Sequence, residues 1–312
     1  MVCPLLTGTK VRQSALVSVA RLWEDIVILD ETYTLAHGVE IPKLGLGTWF
    51  IDNGDAAQAV RDAATLGYRH IDTAQAYGNE EGVGEGVRTC DVPREQVFVT
   101  TKLAAEVKSF EEAAEAIKGS LATTGLEYLD MMIIHSPQPW TEFGGSDRYL
   151  EGNRDAWRAL EQAYDAGKLR AIGVSNFQQS DIDNILAVCT VAPMVNQVLA
   201  HISNTPTELI AYSQGRGMVV EAYSPMAHGE LFKNGQVAAM AEKYGVSLAQ
   251  LSIRYTLQLG LLPLPKTANP DHMRTNADVD FEIAAEDMNV LKNLSRMEDY
   301  GDAAAFPVYS AT

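Results

Sequence analysis

Four titratable side chains close strand-like segments or follow them directly: Asp72 and Tyr77 in "YRHIDTAQAYGNEEGVG", Lys102 at the end of "VFVTTK", and His135 at the end of "LDMMIIH". A tyrosine hydroxyl, with an ordinary pKa of about 10, is a poor proton donor near neutrality. A lysine ammonium beside it favours the phenolate, so the pair predicts a phenol of lowered pKa. An aspartate paired with that lysine keeps it charged and placed, and a histidine nearby orients a carbonyl or shares the proton. Such a group protonates an oxygen while something else attacks the carbon. None of these side chains is an obvious nucleophile, so hydride from a cofactor is the economical partner. Each residue has a plainer reading: Asp72 as a helix cap, Tyr77 as packing, Lys102 as a surface lysine, His135 as a satisfied core histidine. Their joint placement at strand ends is what favours chemistry.

The elements that must position them recur at roughly thirty-residue intervals, the length of a βα unit. "YTLAHGVEIP" predicts a hairpin turning at His37-Gly38. Strands are predicted at Lys43–Thr48, Tyr68–Asp72, Val97–Lys102, Leu129–His135, Leu169–Ser175, Pro193–Val198, Met218–Ser224 and Leu261–Pro265. Most are continuous apolar runs, as strands buried on both faces should be. Helices are predicted between them, among others at Ala56–Leu66, Phe110–Thr123, Asn153–Ala166 and Leu248–Leu259. Asn79 is the expected N-cap of a further helix, with Glu80 and Glu81 in its first turn. Eight βα units without a composition break argue for an α/β fold, a closed (β/α)8 TIM barrel with an N-terminal hairpin cap and long substrate loops. A doubly wound sheet is the alternative, but "GVGEGV" (Gly82–Val87) lacks the third glycine of a dinucleotide fingerprint and no P-loop is present. In a barrel, function belongs at the C-terminal strand ends. These ends supply Thr48 and Trp49, Asp72 with Tyr77 just beyond, Lys102, His135, Ser175 and Asn176, Gln197, Tyr223 and Ser224, and Lys266.

The 312 residues accommodate one such barrel with appendages. Hydrophobic content of 46% and charged content of 21% predict a soluble globular protein with a large core. The net charge of −17 repels nucleic-acid phosphates, and no basic run offsets it, so no nucleic-acid partner is expected. Cys3, Cys90 and Cys189 form no CxxC pair, which argues against a disulfide framework or zinc site and for a reducing cytoplasm. The histidines form no HExxH motif, so no metal is expected. No stretch is apolar and long enough to span a membrane. Residues 1–30 differ in composition and are read as a weakly ordered or partly helical extension, with a signal peptide as the alternative, ahead of a single domain over 31–312.

"PKLGLGTW", "GYRHIDTAQAYGNE", "VFVTTK", "YLDMMIIHSP", "GKLRAIGVSNF", "NQV", "AYSP" and "LPKTANPDHMRTN" together resemble the successive signature segments of the aldo-keto reductase superfamily, in family order. The likeness runs from about Tyr33 to the C-terminus and is nearest to the prokaryotic branch with 2,5-diketo-D-gluconate reductases. The resemblance implies an NAD(P)H-dependent carbonyl reductase without a Rossmann domain, whose tetrad is Asp72, Tyr77, Lys102 and His135, with Tyr77 the general acid. It implies that Ser175, Asn176 and Gln197 bond the nicotinamide carboxamide and that Tyr223 stacks on the ring. Gly47 and Thr48 are implied at the cofactor too, and Ser224, Pro225 and Met226 in the loop over the pyrophosphate. Lys266 and Thr267 are implied at the adenosine 2′-phosphate, and Asn276 at the adenine. A monomer is the expected state.

Two departures from the family pattern carry expectations. The usual arginine six residues after the phosphate-binding lysine is His272, which lacks a permanent bidentate fork. NADPH preference with usable NADH follows, with Arg274 available to restore charge. The residue after the catalytic histidine is Ser136 in place of the frequent tryptophan. Trp140 and Phe143, from the loop "SPQPWTEFGGSDRYLEGN", are expected to replace that wall beside Trp49, with Phe306 or Tyr309 from the tail as further candidates. Two other classes stay open: a cofactor-binding regulatory barrel without significant turnover, and a metal-dependent hydrolase using His70, Asp72 and His135.

Overall fold

The structure is a computed structural model, and it describes residues 27–310. A two-stranded antiparallel sheet, β1 (Thr32–Thr34) and β2 (Glu40–Pro42), precedes eight parallel strands. These are β3 (Leu46–Gly47), β4 (His70–Asp72), β5 (Phe98–Leu103), β6 (Leu129–Ile134), β7 (Leu169–Ser175), β8 (Val195–Leu199), β9 (Val219–Tyr223) and β10 (Leu262–Leu264). They pair in chain order from β3 to β10. The sheet closes where Gly47 bridges Lys266 and its N–H donates to Pro265 O at 3.0 Å. Each predicted strand is present, the first shortened to two residues and the second and last to three. The fold is a (β/α)8 barrel.

Helices α1 (Asn53–Thr65), α2 (Glu80–Thr89), α3 (Phe110–Thr124), α4 (Leu150–Asp165), α5 (Gln179–Leu186), α6 (Thr207–Gly215), α7 (Gly235–Tyr244) and α8 (Leu248–Gln258) lie between successive barrel strands, α7 and α8 both between β9 and β10. After β10 come α9 (Pro270–Ala277), α10 (Ala285–Lys292) and the short α11 (Pro307–Ser310). Local signals set several starts: Ser109 accepts from Glu112 N–H at α3, and Ser247 and Gln250 form a capping box at α8.

The pleat sorts alternate residues of each strand to opposite faces. Val99, Leu103, Met132, Ile134, Ile172 and Val174 point outward and pack with Val60, Ile117, Trp157 and Leu160 of the helices. Phe98, Met131, Ile133, Ala171, Val195, Leu262 and Leu264 point inward and fill the barrel together with Leu35 and Ile41 of the hairpin. The hairpin therefore plugs one end of the barrel, leaving the end with the C-terminal strand ends for the site. Closure needs small residues: a Cβ on Gly45 would lie 2.6 Å from Leu264 Cδ2 and 2.7 Å from His70 Nδ1. The glycines after Tyr77 are explained by packing, since a Cβ on Gly84 would overlap the Thr124 carbonyl where α2 meets α3.

Of the predicted N-terminal extension, residues 1–26 lie outside the described residues. Val27–Asp30 forms a 3-10 turn whose Ile28 and Leu29 are buried in the main core. Among the described residues no helix is long and apolar enough to cross a membrane.

Candidate active site

Asp72 ends β4 and Lys102 lies near the end of β5, both pointing into the barrel, and Tyr77 sits on a 3-10 turn just beyond β4. Lys102 is fully buried, and its three donors find three acceptors: Asp72 Oδ1 at 2.5 Å, Thr73 O at 2.9 Å and Tyr77 Oη at 3.1 Å. Burial alone would lower the lysine. Asp72 and Tyr77 outweigh it, and the ammonium is held above its ordinary value. The Tyr77 phenol departs from the expectation of a lowered pKa. Burial pushes it up, Lys102 pulls it down through charge and hydrogen bond, Asp72 pushes it up again, and the net direction is upward.

The Tyr77 turn is fixed from both sides. Gln75 donates to Ala116 O and Ser120 Oγ on α3 and accepts from Ala104 N–H, while Gly78 ends the turn in the left-handed conformation that glycine favours. Asn79, expected as a capping side chain, makes no cap bond. It is fully buried, accepts from Thr73 Oγ1 at 2.7 Å and donates to Thr48 O and Ile51 O at 2.9 Å each. Its three bonds tie the loop after β3 to the loop after β4.

His135 follows β6, with its ring 5.7 Å from that of Tyr77 and 5.0 Å from that of Trp140. Burial, then Lys102, drive its pKa well below 6.5, so the imidazole is neutral. Its carbonyl accepts from Asn176 Nδ2 at 3.1 Å. Asn176 has φ 62° and directs Oδ1 to the Tyr223 hydroxyl, which donates at 2.8 Å. Ser224, Ala227 and His228 likewise have φ near 50°, so the segment after β9 runs through left-handed positions that non-glycine residues rarely occupy. Tyr309 of α11 reaches this segment, its Oη 2.7 Å from Ser224 Oγ and 2.8 Å from His228 Nε2.

A cavity of about 1220 Å³ joins these residues. Asp72, Tyr77, His135, Ser175, Asn176, Gln197 and Tyr223 line it, as do Gly47, Ser224, Pro225, Met226, Lys266, Thr267, His272 and Asn276. Trp49, Trp140, Phe306 and Tyr309 give aromatic walls, to which the structure adds Phe50, His228 and Phe232. Three predicted contacts are not among its lining. Thr48 is buried, with its hydroxyl donating to Asp72 O at 2.9 Å. Ser136 is buried, its Oγ accepting from Gln138 N–H and its carbonyl from Lys108 Nζ, so it anchors the loop and is no wall. Phe143 packs on Trp140 with ring centroids 5.7 Å apart. His70 is buried against Thr100 Oγ1 at 3.0 Å, and among the described residues no three His, Cys, Asp or Glu side chains are grouped to hold a metal ion.

Sequence reasoning missed Glu221, a fully buried carboxyl that accepts from Gln197 Nε2 at 2.7 Å. The signal was legible: one charged residue in "MVVEAYS", two before Tyr223 and so on the same strand face.

The buried Asp72–Lys102–Tyr77 chain at the C-terminal strand ends sets a tyrosine proton at the base of the cavity. The sequence model of the aldo/keto reductase family matches residues 43–296, and the chain belongs to that family. It is 42% identical over 275 residues to a glyoxal reductase of Bacillus subtilis, covering 88% of this chain and 96% of the relative. It is 38% identical to a 9,11-endoperoxide prostaglandin H2 reductase of Trypanosoma cruzi, covering 86% and 93%. Among solved structures, an aldo/keto reductase from Brucella melitensis superposes with TM-score 0.78 at 34% identity, covering 85% of this chain and 98% of that one. A Bombyx mori aldo-keto reductase in complex with NADP superposes with TM-score 0.78 at 31% identity, covering 89% and 98%. The chain is an NAD(P)H-dependent oxidoreductase of this family.

Proposed function

We propose that the protein reduces aldehydes, ketones, α-diketones or keto-sugars to alcohols, with Tyr77 as general acid. The observation that carries this is the Lys102 ammonium bridging Asp72 and the Tyr77 hydroxyl beneath an aromatic-walled cavity. The glyoxal reductase relative makes small α-dicarbonyls the first substrates to test.

The residues present fit a bound dinucleotide. The cavity exceeds the few hundred to about 1,000 Å³ usual for drug-sized ligands, and it is lined by amide, hydroxyl, aromatic and cationic side chains. Ser175, Asn176 and Gln197 would hold the nicotinamide carboxamide, with Tyr223 beside it. The Ser224–Met226 segment would hold the pyrophosphate, Lys266 and Thr267 the 2′-phosphate, and Asn276 the adenine. The complex of the Bombyx mori relative with NADP supports binding of this cofactor class. NADPH is preferred and NADH usable, because His272 replaces a guanidinium at the phosphate.

When bound, the dihydronicotinamide supplies hydride to the carbonyl carbon. Neutral His135 orients the carbonyl oxygen toward Tyr77. As charge develops on that oxygen, Tyr77 gives up its proton to it, forming the alcohol. The phenolate left behind faces the Lys102 ammonium, which Asp72 holds in place. A phenol kept above its ordinary pKa retains its proton until the oxygen becomes the stronger base. The barrel works as a monomer, with residues 31–312 as its domain.

The test follows loss of NADPH and of NADH absorbance in parallel against glyoxal, methylglyoxal, diketones, aromatic aldehydes and keto-sugars. Turnover with both cofactors, faster with NADPH, is expected. Tight dinucleotide binding without turnover of any carbonyl would overturn the reductase reading.

A further inference from the structure

Glu221 is a carboxyl of the barrel interior that the reaction above leaves unused. It lies on β9 between Val219, which packs against the interior cluster, and Tyr223 at the cavity. An ionised carboxyl is expensive to bury there without partners. Its Oε2 accepts from Gln197 Nε2 at 2.7 Å, and its Oε1 has no hydrogen-bond partner, lying 3.9 Å from His70 Nε2. The same Gln197 nitrogen donates to Asp72 Oδ2 at 2.9 Å. With two hydrogens and two carboxyls, the amide nitrogen is fully committed, and Gln197 has only its oxygen left for the cavity it lines.

We propose that Glu221 is a positioning residue acting through Gln197: it fixes the amide with its oxygen presented to the nicotinamide, and its protonation state is coupled to the Asp72–Lys102–Tyr77 chain one bridge away. The claim about the nicotinamide rests on the cofactor assignment made above.

The charged or titratable groups facing Glu221 are Asp72 and His70 from β4 and Lys102 from β5. Its ladder neighbours on β8 and β10 are Gln197 and Leu262. Burial, then Asp72, push the Glu221 carboxyl up to about 8, against the opposing pull of Gln197 and Lys102. His70, pushed down to about 3 by burial and then Lys102, is neutral and offers no counter-charge. Between 4.5, the ordinary value, and about 8, folded Glu221 carries a proton that the unfolded chain has lost. Stability contributed by this proton is therefore lost as pH rises through that window.

Two measurements test the proposal. The first compares thermal melting of the dinucleotide-free protein with that of Glu221→Gln, which keeps an acceptor for Gln197 but cannot ionise, from about pH 6 to about pH 9. The wild-type protein is expected to lose more stability than the variant as pH rises, and parallel curves would overturn the charge claim. The second measures NADPH affinity by fluorescence at neutral pH in a cycle of Glu221→Leu, Gln197→Ala and the double variant. Glu221→Leu is expected to weaken binding roughly tenfold alone and to add little on the Gln197→Ala background. Full additivity would overturn action through Gln197. If Glu221→Leu does not fold, Glu221→Gln takes its place, expected to shift the pH dependence of NADPH affinity only while Gln197 is present; an equal shift without Gln197 would overturn the proposal. Failure of the wild-type protein to bind either dinucleotide would break the cofactor assignment instead, and with it the nicotinamide role, while the melting comparison would still decide the charge claim.

Discussion

At the floor of the cavity Lys102 is fully buried and its ammonium meets three acceptors within 3.1 Å. At the rim of the cavity Lys266 and His272 are exposed, and nearby Arg274 pairs at 2.9 Å with Asp271 of the same helix. The two regions obey different electrostatics. Charges in the floor interact in a low-dielectric interior, where stranding one partner is costly, whereas charges at the rim are solvated and screened. The floor is consequently built once and tolerates little. The rim can be retuned one residue at a time.

That contrast breaks most severely at Tyr77. Tyr77→Phe removes the proposed acid and leaves the ring, so kcat should fall by about 10²–10⁴, with NADPH affinity within roughly threefold of wild type. Single-turnover rates and fluorescence titration check both halves, and full activity in this variant would sink the assignment. Next is Lys102→Met, which leaves Asp72 buried beside no counter-charge. It should cost roughly 3–5 kcal/mol in denaturant unfolding as well as activity, and an unchanged midpoint would mean the floor is less coupled than its geometry implies. Tyr309→Phe loses the hydroxyl at Ser224 and His228 that ties the C-terminal segment to the loop after β9. A loss of about 1 kcal/mol, seen as a several-fold faster stopped-flow release of NADPH, is expected. The smallest effect is at the rim: His272→Arg should raise the NADPH-over-NADH ratio of kcat/KM by about fivefold. An unaltered ratio would place His272 away from the phosphate.

The pH behaviour sharpens the same comparison. Neutral His135, held far below its ordinary value by burial and Lys102, should contribute no ionisation to kcat/KM between about pH 5 and 8. An acid limb near 6.5 that vanishes in His135→Asn would show that the imidazole does charge in that range.

Strand identity and fold class were legible because a parallel barrel buries both faces of its strands, and "FVTTKL" and "LDMMII" advertise this in composition. The residues at their ends followed, and all four tetrad candidates do gather in one place. Less legible was what polar side chains do once buried. Asn79 sits where a cap belongs by local rules, yet its side chain spans two loops. Ser136 follows His135 directly, yet it turns away from the cavity to anchor the loop with Gln138 and Lys108. Trp140 and Phe143 are three residues apart in one loop, and only the first faces the cavity. Local sequence places a residue on an element; it does not say which distant donor or acceptor will satisfy it.

By itself, the sequence determined the periodicity of the elements, the barrel they imply, and the family-ordered residues at their ends, because these depend on patterns a few residues long. Only the tertiary structure decided the sign of the Tyr77 shift, where burial outweighs Lys102. It alone decided the Asp72–Gln197–Glu221 bridge, whose members lie on three strands of the barrel, and the closure of the C-terminal Tyr309 onto Ser224, 85 residues away. Desolvation and long-range hydrogen bonds are properties of the packed interior, and they exist only once distant segments have been brought together.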